Sequence, residues 1–481
     1  MSNIIKKIFK HFNQYNPVDK YLVNEYNKHR KGGGKPVLCY APFKNMYLGH
    51  HGNVISCCFN RTYFLGTYPK QSLKEIWTGT KAKKLRDYIK HNDLSLGCTD
   101  CKNLMEGKNY DAIKAKMYDE LPQNDNFPTV IEFELNNTCN LECIMCSGDY
   151  SSLIRRNREK KPPIDNVYDK EFLKQLEEFI PHLTETKFYG GEPFIIDIYY
   201  EIWDKIITIN PNARISVQTN ATVLNDRVKN LLNKGKFHLN ISLDSINKET
   251  YEKIRINANF EKVMENIKYF HDYCKKNDTF FGISTCPMRQ NWRELPQMMD
   301  FCNNLDVPVY FHMVWFPQTA SLWNLDSEKL KEIYDYLTSY DFNKNSSIEI
   351  KNHTHYFDFV SQVNSWYSKA LIREKEFEVE QSMILEENKK AGELKEELFQ
   401  KIDLYTKSNH MFSDNEKQEK LNLYYSKMES VFNRFPPNFP LSRAISKLIN
   451  EFPVDILAAE LESETEDGLY EKLKDVVYTR S

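Results

Sequence analysis

No stretch of this 481-residue chain approaches the roughly 18 consecutive apolar residues that a membrane-spanning helix needs. Strong charge of either sign is missing too. Lysine and arginine number 65 against 67 acidic residues, and a net charge of −2 leaves no electrostatic footprint for nucleic acid. No secretory signal opens the chain, because Lys6, Lys7 and Lys10 interrupt the apolar residues Ile4, Ile5, Ile8, Phe9 and Phe12. No internal repeat is evident. From Asp326 to Ser481 there is no cysteine, so any thiol chemistry belongs to the first two thirds. Eleven cysteines without a signal point to a reducing cytoplasm, where paired thiols bind metal rather than form disulfides.

Those thiols are not scattered. Asn136 to Gly148 reads N-N-T-C-N-L-E-C-I-M-C-S-G and sets Cys139, Cys143 and Cys146 in the spacing C-x3-C-x2-C. The loop follows the strand-like run Val130 to Leu135, which places it at a strand's C-terminal end. A structural zinc site wants four protein ligands and is closed. Three cysteines on a four-iron cluster leave one iron open to bind something else. A zinc knuckle with a distant fourth ligand, or plain buried thiols, is the alternative.

The spacing resembles the signature of the radical S-adenosylmethionine (radical SAM) enzymes. The resemblance implies a 4Fe–4S cluster on the three cysteines, with SAM chelating the fourth iron. SAM would be cleaved reductively to methionine and a 5′-deoxyadenosyl radical, which takes a hydrogen atom from substrate. It also implies a reductant such as flavodoxin or ferredoxin.

A second set of cysteines precedes this one. The turn His51–Asn53 lies between two apolar stretches and predicts a hairpin returning Cys57 towards Cys39. Ser72 to Tyr88 reads as one helix, and Cys98 and Cys101 form a C-x2-C knuckle. Four such thiols suit zinc or a 4Fe–4S cluster. Gly52, Cys57, the L-K-E-I-W helix and the knuckle together resemble a SPASM or shortened twitch domain, which implies an auxiliary iron–sulfur cluster on Cys39, Cys57, Cys98 and Cys101. Cys57 is preferred over Cys58 on the Gly-x4-Cys spacing. Such domains usually follow the barrel, whereas this one precedes it.

From Val130 strands and helices alternate, which predicts a parallel sheet with right-handed crossovers. The strands are Val130–Leu135, Thr186–Tyr189, Arg214–Thr219, His238–Leu243, Thr279–Thr285 and Val307–Trp315. Six units match the partial (β/α)6 TIM-like barrel of the family. The expected fold is therefore α/β, with that barrel over 128–320 and a twitch-like domain over 37–110. A basic amphipathic helix and glycine linker occupy 1–36, and a mainly helical region occupies 326–481.

In barrels the functional residues sit at the C-terminal strand ends. There lie Gly190, Gly191 and Glu192 of a G-G-E-P motif, then Asn220 of Q-T-N, and Ser242 and Asp244 of S-L-D-S. By resemblance these and Arg255 contact SAM. Plain turns and helix caps would use the same residue types. Cys274 and Cys302 lie on apolar stripes and read as core. Cys286, His312 and Trp315 are candidates to face substrate.

The implied function is a radical SAM oxidoreductase acting on a peptide or small molecule. A non-catalytic zinc or iron–sulfur-binding protein is the alternative, with an RNA-modifying role third. The N-terminal helix either docks on its own protein or touches a membrane surface.

Overall fold

A computed structural model describes residues 15–478. The basic amphipathic helix expected over the first fifteen residues lies, up to residue 14, outside them. The chain forms two compact units, one of residues 1–325 with 329–364, the other of 326–328 with 365–481.

The first unit is built on one nine-stranded sheet. Its strands are β1 Asn45–Gly49, β2 Asn53–Ile55, β3 Gly66–Thr67, β4 Val130–Glu134, β5 Glu185–Phe188, β6 Arg214–Thr219, β7 Phe237–Ser242, β8 Phe281–Thr285 and β9 Val309–Phe311. They lie side by side in the order β3-β2-β1-β4-β5-β6-β7-β8-β9. From β4 to β9 every pairing is parallel, each strand joined to the next through helix, as the strand–helix alternation predicts.

The alternation along each strand explains how the sheet sits. On β6 and β7, Ile215, Val217, Phe237, Leu239 and Ile241 are buried, while the interleaved Ser216, Gln218, His238, Asn240 and Ser242 are only half-buried. One face packs on the crossover helices and the other is polar and lines the inside of the open barrel. Helix Asp197–Ile209 contributes Trp203 to the covered face, where its ring meets Phe188, Phe194 and Phe237.

The sequence reading missed one pairing. β1 runs parallel to the first barrel strand, Tyr47 opposite Glu132 and Gly49 opposite Glu134. The cysteine-bearing hairpin is thus a flank of the barrel sheet. At its turn Gly52 has a φ of +75°, and a Cβ there would lie 2.0 Å from the carbonyl oxygen of Tyr68.

Several boundaries differ from expectation. The helix expected over Ser72–Tyr88 is two helices, Leu73–Thr78 and Thr80–Lys90. Gly79 sits between them in extended backbone, where a Cβ would come within 2.5 Å of the Glu75 carbonyl. The sixth barrel strand ends at Phe311 rather than Trp315, although His312 N still donates to Thr285 O at 2.9 Å. The expected glycine linker is a turn, closed by Gly33 N donating to Arg30 O at 3.1 Å.

The second unit is helical. Helices Ala391–Ser408, Asp414–Asn433, Leu441–Glu451 and Val454–Ser463 pack around Leu398, Ile402, Tyr424, Val431, Ile445 and Leu461. Pro453 separates the last two of these helices. Among the described residues no helix is long and apolar enough to cross a membrane.

Candidate active site

The strand ends open on a cavity of about 970 Å³. Its lining includes Cys139, Cys143 and Cys146 from the loop after β4, and Gly190 and Gly191 from the loop after β5. Asn220 follows β6, Ser242 ends β7, and Arg255 follows helix Lys248–Ile254; all three line it too.

The cysteine loop is held by its own backbone and by neighbours. Glu142 N and Ile144 N donate to Ile256 O and Ile254 O, at 3.0 and 2.9 Å. Asn137 Nδ2 donates to Gly148 O at 2.8 Å, closing the loop across its base. The two glycines are there for this loop. A Cβ on Gly191 would sit 2.0 Å from Thr138 O, and one on Gly190 would sit 2.6 Å from Asn136 O. Both have positive φ, +48° and +81°. They bring two backbones together while still lining the cavity.

Two other expected SAM contacts lie behind the wall. Glu192 is fully buried and does not line the cavity. It accepts from Thr219 Oγ1 at 2.7 Å, Asn220 N at 2.7 Å and Phe194 N at 3.1 Å, tying the β5 loop to the end of β6. Burial pushes its carboxyl up to about 7, against the pull of those donors. Asp244 is likewise buried. Its Oδ1 accepts from Cys286 N at 2.8 Å and its Oδ2 lies 2.8 Å from Arg255 Nε. That pair is not aligned as a hydrogen bond, so Arg255 Nε and Asp244 Oδ2 are buried polar atoms without a hydrogen-bond partner. The outer guanidinium nitrogen Nη1 reaches to 4.0 Å from Cys143 Sγ.

Cys286 does not line the cavity, contrary to expectation. It packs against Ile254, Met288, Val314 and Ala320, and burial pushes its thiol up. His312 does line the cavity; Trp315 is exposed and does not.

The second thiol set surrounds a separate small cavity of about 30 Å³, lined by Cys39, Cys57, Cys98 and Cys101 with Tyr26 and Tyr118. Cys58 is absent from it and lines the large cavity instead. Asn60 steadies this cage, its Nδ2 donating to Leu96 O at 2.8 Å and to Cys98 Sγ at 3.4 Å. Among the described residues no three of His, Cys, Asp and Glu gather tightly enough for a single metal ion.

Both thiol sets suit a bound cluster chemically. Burial holds Cys139, Cys146 and Cys101 up at about 12. Buried thiols of this kind ionise when metal takes the proton's place, so metal binding there releases protons.

The family comparisons agree with this layout. Residues 133–302 match the model of the radical SAM superfamily, and residues 39–102 match SPASM, an iron–sulfur cluster-binding domain. Residues 133–302 are a radical SAM domain. The radical SAM domain begins on β4 and takes in the cysteine loop, the glycine pair and every strand end up to β8. Curated relatives include a probable GTP 3′,8-cyclase of Methanocaldococcus jannaschii, 27% identical over 36% of this chain. Another is the GTP 3′,8-cyclase of Lactiplantibacillus plantarum, 28% identical over 46% of it. The chain spans 55% and 64% of their lengths. Similar solved structures include native anSMEcpe with bound AdoMet, at 18% identity and TM-score 0.33, covering 44% of this chain and 60% of that one. Streptococcus suis SuiB bound to S-adenosylmethionine has the same identity and TM-score, covering 55% and 59%.

Proposed function

We propose that the protein is a radical SAM oxidoreductase that cleaves SAM reductively and takes hydrogen from a peptide or small molecule. What carries this reading is one arrangement: three thiols of a single loop share a cavity wall with the ends of three successive strands. A four-iron cluster with SAM on its open iron would supply a radical able to abstract hydrogen. Cys139, Cys143 and Cys146 hold that cluster in this reading.

The remaining residues position and shield. Gly190 and Gly191 form the wall beside the cysteine loop. Asn220 and Ser242 present polar groups from adjacent strand ends. Ser242 Oγ accepts from Gln218 Nε2 at 2.7 Å, which fixes its direction. Arg255 presents positive charge beside Cys143, suited to a carboxylate, with Asp244 balancing it from behind. Glu192 positions Asn220 by accepting from its backbone. Cys39, Cys57, Cys98 and Cys101 hold an auxiliary cluster.

A reductant of the flavodoxin or ferredoxin kind supplies electrons, and a reducing cytoplasm suits eleven free thiols. The relatives' name, GTP 3′,8-cyclase, attaches to proteins that match less than half of this chain, so a nucleotide substrate does not follow from it. The alternative is a non-catalytic zinc or iron–sulfur protein.

Iron and sulfide analysis with EPR, after anoxic reconstitution, separates the two. Wild type should hold about eight irons, and a Cys139/Cys143/Cys146→Ala triple variant about four. SAM should perturb only the signal that the variant lacks. Zinc without sulfide in the wild type would overturn the reading.

A further inference from the structure

The radical SAM assignment leaves one end of the large cavity without a role. Three nitrogen-bearing side chains meet there from segments far apart in the chain. Lys114 comes from the 3-10 helix Lys114–Tyr118, which precedes the barrel. His312 follows β9, and His355 comes from helix Ser347–Asn388. All three line the cavity.

Each is held in place. His312 Nε2 lies 3.0 Å from Ser284 Oγ. Ser284 accepts in turn from Asn240 Nδ2 at 2.7 Å, the same amide that donates to Gln218 Oε1 at 2.7 Å. His355 Nδ1 lies 2.7 Å from Val309 O, and its ring centroid is 4.8 Å from that of Tyr310. Phe311 stacks on Phe359 at 5.7 Å and closes the wall beneath.

Lys114 is the informative residue. Its neighbour Lys116 pairs with Asp111 at 3.5 Å, whereas Lys114 makes no ion pair among the described residues. Its ammonium faces the cavity; burial biases both histidines toward the neutral form, and the charge of Lys114 adds to that. Lys351, whose Nζ donates to Tyr310 Oη at 3.1 Å, adds a second cation nearby, and Asp358 is a carboxylate on the same wall.

We propose that the end of the cavity walled by Lys114, His312 and His355 is a subsite for an anionic group of the substrate, a carboxylate or a phosphate. This deepens the proposed function and rests on it, since only that reading makes the cavity a substrate site. An anion held there pairs with the Lys114 ammonium. It also favours protonation of the two imidazoles, so binding of a carboxylate tightens as pH falls below 6.5. Asp358 opposes it.

The test is calorimetric titration of the reconstituted full-length protein with inorganic phosphate and, separately, with acetate. Saturable binding of either is expected, phosphate alone pointing to a phosphate ester and acetate alone to a carboxylate. Lys114→Met, a cavity-facing change that disturbs no core, should weaken it about tenfold. Asp358→Asn should tighten it, which a merely structural role for this wall would not produce. Absence of saturable binding, or binding indifferent to Lys114→Met, overturns the proposal. Release of 5′-deoxyadenosine by the same preparation is read independently. Cleavage without anion binding sinks the subsite alone; anion binding without cleavage sinks the radical reading and leaves the anion site.

Discussion

Cys57 and Cys58 are joined by one peptide bond and face different cavities. Cys57 shares the small cage with Cys39, Cys98 and Cys101, and Cys58 lines the large cavity. Cys57→Ala should therefore lose the auxiliary cluster, about four irons, while Cys58→Ala keeps both clusters. Iron analysis with EPR of the two variants decides it. Equal iron loss in both, or loss only in Cys58→Ala, would refute this division of labour.

Asp119 accepts from Arg30 through Nη2 at 2.5 Å and Nε at 2.8 Å, with both side chains almost wholly buried. Asp119→Ala would leave a buried guanidinium without its counter-charge and should cost about 3–5 kcal/mol of stability. An Arg30→Met/Asp119→Leu double variant should recover most of that. Chemical denaturation of both would show it, and a double variant no better than the single would count against the argument.

Glu192 gives a pH signature. Its carboxyl ionises at about 7 in the fold against 4.5 as a free group, because burial disfavours the charge. Between those values the folded state binds more protons than the unfolded, so this group's contribution to stability falls as pH rises. Melting temperatures of cluster-free protein from pH 4.5 to 7.5 should fall less steeply for Glu192→Gln than for wild type. Parallel slopes would show that Glu192 is not held protonated.

His238 acts in the opposite sense. Its Nδ1 accepts from Phe280 N at 2.9 Å, and burial with Arg214 lowers it from 6.5 to about 4. The unfolded state binds more protons in that window, so acid weakens the fold from pH 6.5 down towards 4. His238→Gln, which can still accept the bond, should lose part of that acid sensitivity. Unchanged acid sensitivity in a thermal melt would contradict it.

Much of this architecture was legible because it is local. The six barrel strands and the cysteine loop follow from alternation and spacing within a few residues. What failed was non-local or directional. Nothing in Asn45–Gly49 says that its partner is Val130–Glu134, eighty-five residues on, because apolar alternation specifies a strand but not its neighbour. Nor does a G-G-E-P string say that Glu192 turns into the protein while the glycines press against Thr138 and Asn136. Gly79 resisted for a different reason: a glycine inside a helical pattern can be tolerated or can end it. The wall of Lys114, His312 and His355 draws on three separate segments and leaves no motif in any of them.

The parallel pairing of β1 with β4 sets the geometry between the two thiol sets. The strand before Cys57, β2, and the strand before Cys139, β4, both pair with β1, so their backbones lie two interstrand repeats, about 9.6 Å, apart. Backbone hydrogen bonds, rather than the covalent connection of residues 107–129, fix that separation. The order of the modules along the chain is then immaterial to their spacing. Lengthening the connection should leave the distance between them unchanged, as two beads on fixed rungs stay put however long the thread between them.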